Sequence, residues 1–220
     1  MFHMKMVYMM AMKNVRSKHV LKHLEPIIKG EEIVSEKPHN IRVQAIWILK
    51  NINVHSNYIH DILWPVLSDV SLPSAVRIAA FNVLIHQVNQ EPNLGRVMNI
   101  YWLMVYEKDE HLYNYYVDTV KGLANSVDPC LMKIREMAKK ILKFIRIRNL
   151  NQPLSSKIHV DYVDEKYGFG ESVMASLVLD NLTGLPYVGS VEHVETVAHK
   201  PVTTLGVSLF DIVVYMKNII

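Results

Sequence analysis

Two stretches of this chain repeat one another at a fixed offset, and that limits what the chain can fold into. IRVQAIWILKNI (41–52) and VRIAAFNVLIHQ (76–87) align 35 residues apart, matching Arg42 with Arg77, Ala45 with Ala80 and Leu49 with Leu84. KMVYMMAMKNV (5–15) aligns with RVQAIWILKNI (42–52) at an offset of 37 and shares its Lys-Asn. A period of this size is one supersecondary unit, too small to bury its apolar face alone, so successive units must stack. Each copy is followed by a second apolar segment, and two of these hold a similarly placed proline, HLEPII at Pro26 and ILWPVL at Pro65. The unit is therefore a pair of helices.

The spacing within each copy supports this. Ile41, Ala45, Ile48, Leu49 and Ile52 form one stripe of a helix with 3.6 residues per turn. Val76, Ala80, Val83 and Leu84 repeat it, as do Leu112, Tyr116, Val120 and Leu123, then Leu131, Ile134, Ala138, Ile141, Leu142 and Ile145. Asp128 before Pro129 predicts a capped helix start, and Gly30 suits a helix C-terminus. About four pairs in tandem are enough for neighbouring seams to shield one another.

After residue 170 the period changes. SVMASLVL (172–179), VGSVEHVETV (188–197) and VTTLGVSLF (202–210) predict short strands, with turns at Asn181, Gly184-Leu185-Pro186 and Lys200-Pro201. Charge shifts too: residues 1–150 carry 20 Lys and Arg against 13 acids, and residues 151–220 carry 4 against 8. Together with the Asn, Pro and Ser of RNLNQPLSS, this places a boundary near 150. The expected class is α+β: an α-solenoid of helix pairs (an α-α superhelix) over 1–150, then a partial antiparallel β-sheet over 151–220. Several strands are apolar on both faces and would expose a hydrophobic surface unless something covers them.

Half of the residues are hydrophobic and 20% charged, which excludes the disordered and low-complexity classes. No apolar run reaches the ~18 residues that a membrane-spanning helix needs. The opening MFHMKMVYMMAMKN has no small-residue cleavage site and does not read as a signal peptide; Met1 reads as the point where one copy of a longer product begins. A single cysteine, Cys130, rules out an internal disulfide framework.

The residues themselves resemble the vitellogenin family of large lipid transfer proteins, which includes apolipophorins and microsomal triglyceride transfer protein. The resemblance rests on ILWPVLSDVSLPSAVRIAAFNVLI (62–85), LYNYYVDTVKGLANSVDP (112–129) and YGFGESVMASLVLDNLTGLPYVGSVEHVETVAHKPVTTLGVSLF (167–210). It implies a horseshoe of helix pairs embracing sheets whose apolar faces hold phospholipid or neutral lipid. It also implies transport without catalysis and an extracellular or secretory setting. The family's preceding β-barrel and later sheets have no counterpart here, so the chain reads as an internal fragment whose partner is the remainder of a lipoprotein or another chain. In the Leu-Pro turn, where the family places Arg and Ser, this sequence has Tyr187 and Val188. The alternative reading is a helical-repeat scaffold for protein partners, without lipid.

Strand alternation assigns lipid-facing roles to Leu177, Leu179, Leu205, Val207 and Leu209. Their opposite neighbours Met174, Val178 and Phe210 are also apolar, so either face could meet lipid or pack on helices. Beyond Asp128, Lys133, Arg135, Lys139, Lys140, Lys143, Arg146 and Arg148 face Glu136 alone. Such a run is ordinarily a solvated face. As a site it would take an anionic partner: lipid headgroups, an acidic protein or heparin-like polysaccharide, with nucleic acid disfavoured because the Tyr and Trp residues lie mostly on buried stripes.

His19 and His23 have the i, i+4 spacing of a metal pair but no third ligand, and His55 with His60 and His193 with His199 are spaced less well, so no metal is expected. There is no GxSxG elbow and no phosphate loop, and Gly168-Phe-Gly170 lacks the third glycine of a dinucleotide loop; no enzyme or cofactor is expected. Cys130, at a helix start, reads as a buried structural thiol, with a lowered pKa as the alternative. Asn181-Leu182-Thr183 is a glycosylation sequon that matters only in a secreted chain.

Overall fold

The computed structural model describes residues 7–9, 11–12, 17–32, 38–52, 54–90, 93–148, 152–164, 166–181, 183–197 and 200–208. Its helices are α1 (Leu21–Lys29), α2 (Pro38–Ile48), α3 (Ser56–Ser68), α4 (Ser74–Gln90), α5 (Leu94–Val105), α6 (Glu110–Asn125) and α7 (Met132–Leu142). Four strands follow: β1 (Ser156–Asp164), β2 (Phe169–Leu179), β3 (Pro186–Val197) and β4 (Lys200–Ser208). The chain is α+β. It divides into two compact units, Met1–Met98 and Asn99–Ile220, so α6 and α7 group with the sheet.

In the first unit, α1 packs on α2 and on α3, α3 on α4, and α2 on α4. First helices therefore stack on first helices and second on second, as tandem pairs require. The repeat stripes supply the core: Ile41, Ala45, Ile48, Leu49 and Ile52 from one copy and Val76, Ala80, Val83 and Leu84 from the next are all buried.

Both repeat prolines lie inside helices, and each helix ends three residues later, at Lys29 and at Ser68. The carbonyls of a last turn have no donor within their own helix. The repeat arginines provide one. Arg42 Nε donates to the carbonyl of Ile28 at 2.7 Å, and Arg77 Nε donates to that of Leu67 at 2.9 Å, in each case the carbonyl two residues beyond the proline. Arg77 is fully buried. Gly30 adopts φ 81°, and a Cβ there would meet Arg42 Nη1 at 3.2 Å. This helix end thus requires glycine twice over: for its left-handed backbone and for the guanidinium lying across it. In the second unit Arg135 of α7 closes the end of α6 in the same way, donating to the carbonyl of Ser126 at 3.0 Å.

The sheet is an antiparallel meander in the order β1-β2-β3-β4. It departs from the sequence reading in three places. β1 precedes the strands read from the sequence, the first of which began at residue 172, β4 already includes Lys200 and Pro201, where a turn was expected, and α7 ends at Leu142, short of Ile145. Asp128 caps the turn before α7 as expected, accepting from Cys130 N at 2.8 Å, but Pro129–Leu131 is a 3-10 turn and the α-helix starts one residue later.

Replacing Arg77 with Met keeps much of the volume but strips Leu67 of its donor in a dry environment. Because a buried acceptor that loses a charged donor costs about 2–3 kcal/mol, Arg77→Met is expected to lower the unfolding free energy by about 2 kcal/mol in urea titrations. Arg42→Met, at a half-buried site, is expected to lose less.

Candidate functional site

One face of the sheet meets α6, and β1 joins it there through hydrogen bonds and a close backbone approach. The α6 residues Asn114, Asp118 and Gly122, with Ser126 at its C-cap, recur every fourth position; Ser155 and β1's Lys157, His159 and Asp161 recur every second. Four helical residues rise about 6.0 Å and two strand residues about 6.6–6.8 Å, so the two rows stay in step. Asn114 Nδ2 donates to the carbonyl of Ser155 at 2.9 Å, and Lys157 N donates to Asp118 Oδ2 at 3.4 Å. A Cβ on Gly122 would lie 2.8 Å from His159 Cβ. Asp161 accepts from the Ser126 hydroxyl and from Val127 N at 3.0 Å.

The side chains of His159 and Asp161 are 8% and 6% exposed. Burial pushes the His159 ring below the usual histidine range against the pull of Asp161, so the neutral ring fills the seam with Nε2 3.0 Å from Ser172 Oγ. Burial likewise pushes the Asp118 carboxyl upward, opposed by Lys157 N–H and Lys121. At one end Ser155 joins three elements: its N donates to His111 Nδ1 at 3.2 Å, and its hydroxyl accepts from Leu179 N at 2.9 Å.

With the polar row turned toward α6, strand alternation turns the apolar row outward. Ile158, Val160 and Tyr162 of β1 are 62%, 63% and 60% exposed, and Val173, Leu177 and Val191 are also exposed. Register puts them on one surface: Ile158 opposite Ala175, Val160 opposite Val173, Ala175 opposite Val191. The chemistry this face offers is solvation of apolar groups.

The lipid-facing residues expected from alternation divide accordingly. Leu177 is exposed on this face. Leu205 and Val207 occupy register positions on it, opposite His193 and Val191, although their side chains lie outside the described residues, as does Leu209 altogether. Leu179, at the end of β2 where its register with β3 shifts, is buried at 4%. Met174 and Val178 belong to the α6-facing side, and Phe210 lies outside the described residues.

Alternation in Lys157-Ile158-His159-Val160-Asp161-Tyr162 is the signal that would have found β1's contribution. Among the basic residues after Asp128, Lys133, Lys139, Lys140, Lys143 and Arg146 are exposed. Cys130 is a correction. It is exposed, and partial burial together with the Asp128 carboxylate raises its pKa. Asn181 sits exposed in the turn after β2. His19 and His23 are exposed, and no group of three or more metal-ligating side chains occurs among the described residues. Nor are all aromatic residues buried: Trp102, Tyr106, Tyr162 and Tyr167 face outward.

Among protein families, the profile described as the vitellogenin TPR domain matches residues 3–121, more than half of the chain. The chain belongs to the vitellogenin family. A lipovitellin structure described as showing lipid–protein interactions shares the fold at a TM-score of 0.76 and 14% identity, covering 89% of this chain. The vitellogenin-family segment seen here spans 20% of that lipovitellin chain. No curated protein matches. No helix among the described residues is long and apolar enough to cross a membrane.

Alanine at Gly122 would gain about 1 kcal/mol of helix propensity but drive a methyl into His159 Cβ, which cannot swing away. Overpacking of this kind costs about 1–3 kcal/mol, so Gly122→Ala is expected to destabilise the second unit, read as a lower urea midpoint.

Proposed function

We propose that this chain is a lipid-carrying segment of a vitellogenin-type lipid transfer protein, working without catalysis and holding acyl chains on the outward face of its sheet. The observation that carries the reading is the polarity of β1: Lys157, His159 and Asp161 are turned to α6, and Ile158 and Val160 are left outside, on one surface with Val173, Leu177 and Val191. A sheet that served only as support would have the reverse arrangement, since apolar side chains are the ones water drives inward. Each methylene that such a face removes from water contributes about 0.8 kcal/mol, so an acyl chain laid across two or three strands is held without any charged contact.

Leu177, Leu205 and Val207 are assigned to this face, joined by Ile158, Val160, Val173 and Val191. Tyr162 closes one end of the row with its ring, its hydroxyl free to reach headgroup or water. The family membership and the fold shared with lipovitellin support a lipid role; the headgroup is left to experiment. An extracellular or secretory setting, with Asn181 as a glycosylation position, accords with family membership. The rest of a lipoprotein or another chain is the partner proposed to cover the sheet.

The test is direct. Incubated with a fluorescent phosphatidylcholine, the purified chain is expected to bind it, and Val160→Asp is expected to weaken binding about tenfold or more, the equivalent of losing one buried valine. Binding undiminished by both Val160→Asp and Leu177→Asp would remove the sheet face as the site.

A further inference from the structure

We propose that the outer face of α7 and the turn after it form a second, separate lipid contact, a docking site for the surface of an anionic phospholipid bilayer. The inference rests on how this segment sorts its cations and on two exposed apolar side chains that stand among them. Arg135 and Arg148 are engaged with the protein itself: Arg135 with the carbonyl of Ser126, and Arg148, though exposed, with that of Glu107 at 2.8 Å and with its guanidinium 3.8 Å over the Tyr113 ring. Lys139 reaches Glu136 at 3.2 Å. Lys133, Lys140 and Lys143 are exposed with no carboxylate partner among the described residues. Arg146 engages through its carbonyl, which accepts from the Tyr113 hydroxyl at 2.9 Å, and its side chain is exposed.

Ile134, Ala138 and Ile141 are the buried row of α7. Lys133, Lys140 and Lys143 lie on the opposite side of a 3.6-residue helix, so their charges share one face.

Lysines in a last turn also complement the helix dipole, and that alone would account for Lys139 and Lys140. It does not account for Phe144 and Ile147, which are 72% and 66% exposed and alternate with Lys143 and Arg146. A polyanion such as heparin or a nucleic acid would use the cations and leave an aromatic ring and an isoleucine in water. An anionic bilayer surface uses both, taking lysine and arginine at the headgroups and the apolar side chains below them. This site stands on observations independent of the sheet and does not require the acyl-binding reading to hold.

Cosedimentation of the full chain with vesicles tests it. The chain is expected to bind mixed phosphatidylcholine–phosphatidylserine vesicles at low ionic strength and to be released by salt. Each cation near such a surface is worth about fivefold in affinity, so the K140Q/K143Q/R146Q variant is expected to bind about a hundredfold more weakly. F144S/I147S is expected to weaken binding to the same vesicles while leaving retention on heparin unchanged. These positions are solvent-exposed, and unaltered circular dichroism checks that the fold survives. The proposal is overturned if K140Q/K143Q/R146Q binds mixed vesicles like the parent, or if heparin is bound and mixed vesicles are not. Equal binding to neutral phosphatidylcholine vesicles, abolished by Val160→Asp, would likewise overturn it while leaving the acyl-binding face standing.

Discussion

A helix and a strand can lie in step only if their repeats have nearly the same length, and the contact between α6 and β1 is such a match. Every fourth residue of the helix and every second residue of the strand advance by about the same distance, so Asn114, Asp118, Gly122 and Ser126 each meet one strand residue. Because the ridge is polar, or in Gly122 has no side chain at all, the strand must present Lys157, His159 and Asp161 to it. Alternation then leaves Ile158, Val160 and Tyr162 nowhere to go but outward, and cross-strand register sets Val173, Leu177 and Val191 on the same side. The exposed apolar face is thus a consequence of a polar seam on the other side.

The helical pairs rest on a different economy of hydrogen bonds. Where one helix ends and the chain turns into the next, the carbonyls of the last turn lie past the reach of their own helix, and those of Ile28 and Leu67 belong to fully buried residues. Arg42 and Arg77, each in the first turns of the helix that opens the next pair, reach back to such a carbonyl, and Arg135 does the same from α7 to the end of α6. A planar guanidinium that is always charged suits this task better than lysine, because it can bond through Nε while its outer nitrogens remain available to other acceptors. What looks in the sequence like a conserved spacing between two repeats is therefore a closure device, and the proline that precedes each of the first two fixes where the helix must end.

Much of this was legible because the repeats carry it directly: the 35-residue offset pairs Arg42 with Arg77, and the apolar stripes at helical spacing are the buried rows. The antiparallel order of the later strands was legible from turn residues such as Gly184, whose φ of 65° matches a turn. β1 escaped because its alternation is half charged, and a charged alternation next to Asn and Pro resembles a linker until a polar helix is seen beside it. The face that meets lipid could not be chosen from β2 alone, where Met174 and Val178 are as apolar as Val173 and Leu177. It is chosen by Asn114, Asp118 and Gly122, some fifty residues upstream, and pairing of that kind has no local signature. Leu179 shows the same limit, since its burial at the end of β2 is set by what packs there and not by its place in the alternation.

Thiol accessibility tests the sheet's polarity most directly. With Cys130→Ser removing the native thiol, single cysteines introduced by Val160→Cys and by Ser172→Cys can be compared for their rate of alkylation, with and without phospholipid. The account requires Val160→Cys to react rapidly and to become protected when lipid is added, and Ser172→Cys, beside His159, to react slowly in both conditions. Rapid reaction at Ser172→Cys with protection at Val160→Cys in the absence of lipid would mean that the sheet presents the opposite face, and the account would fail.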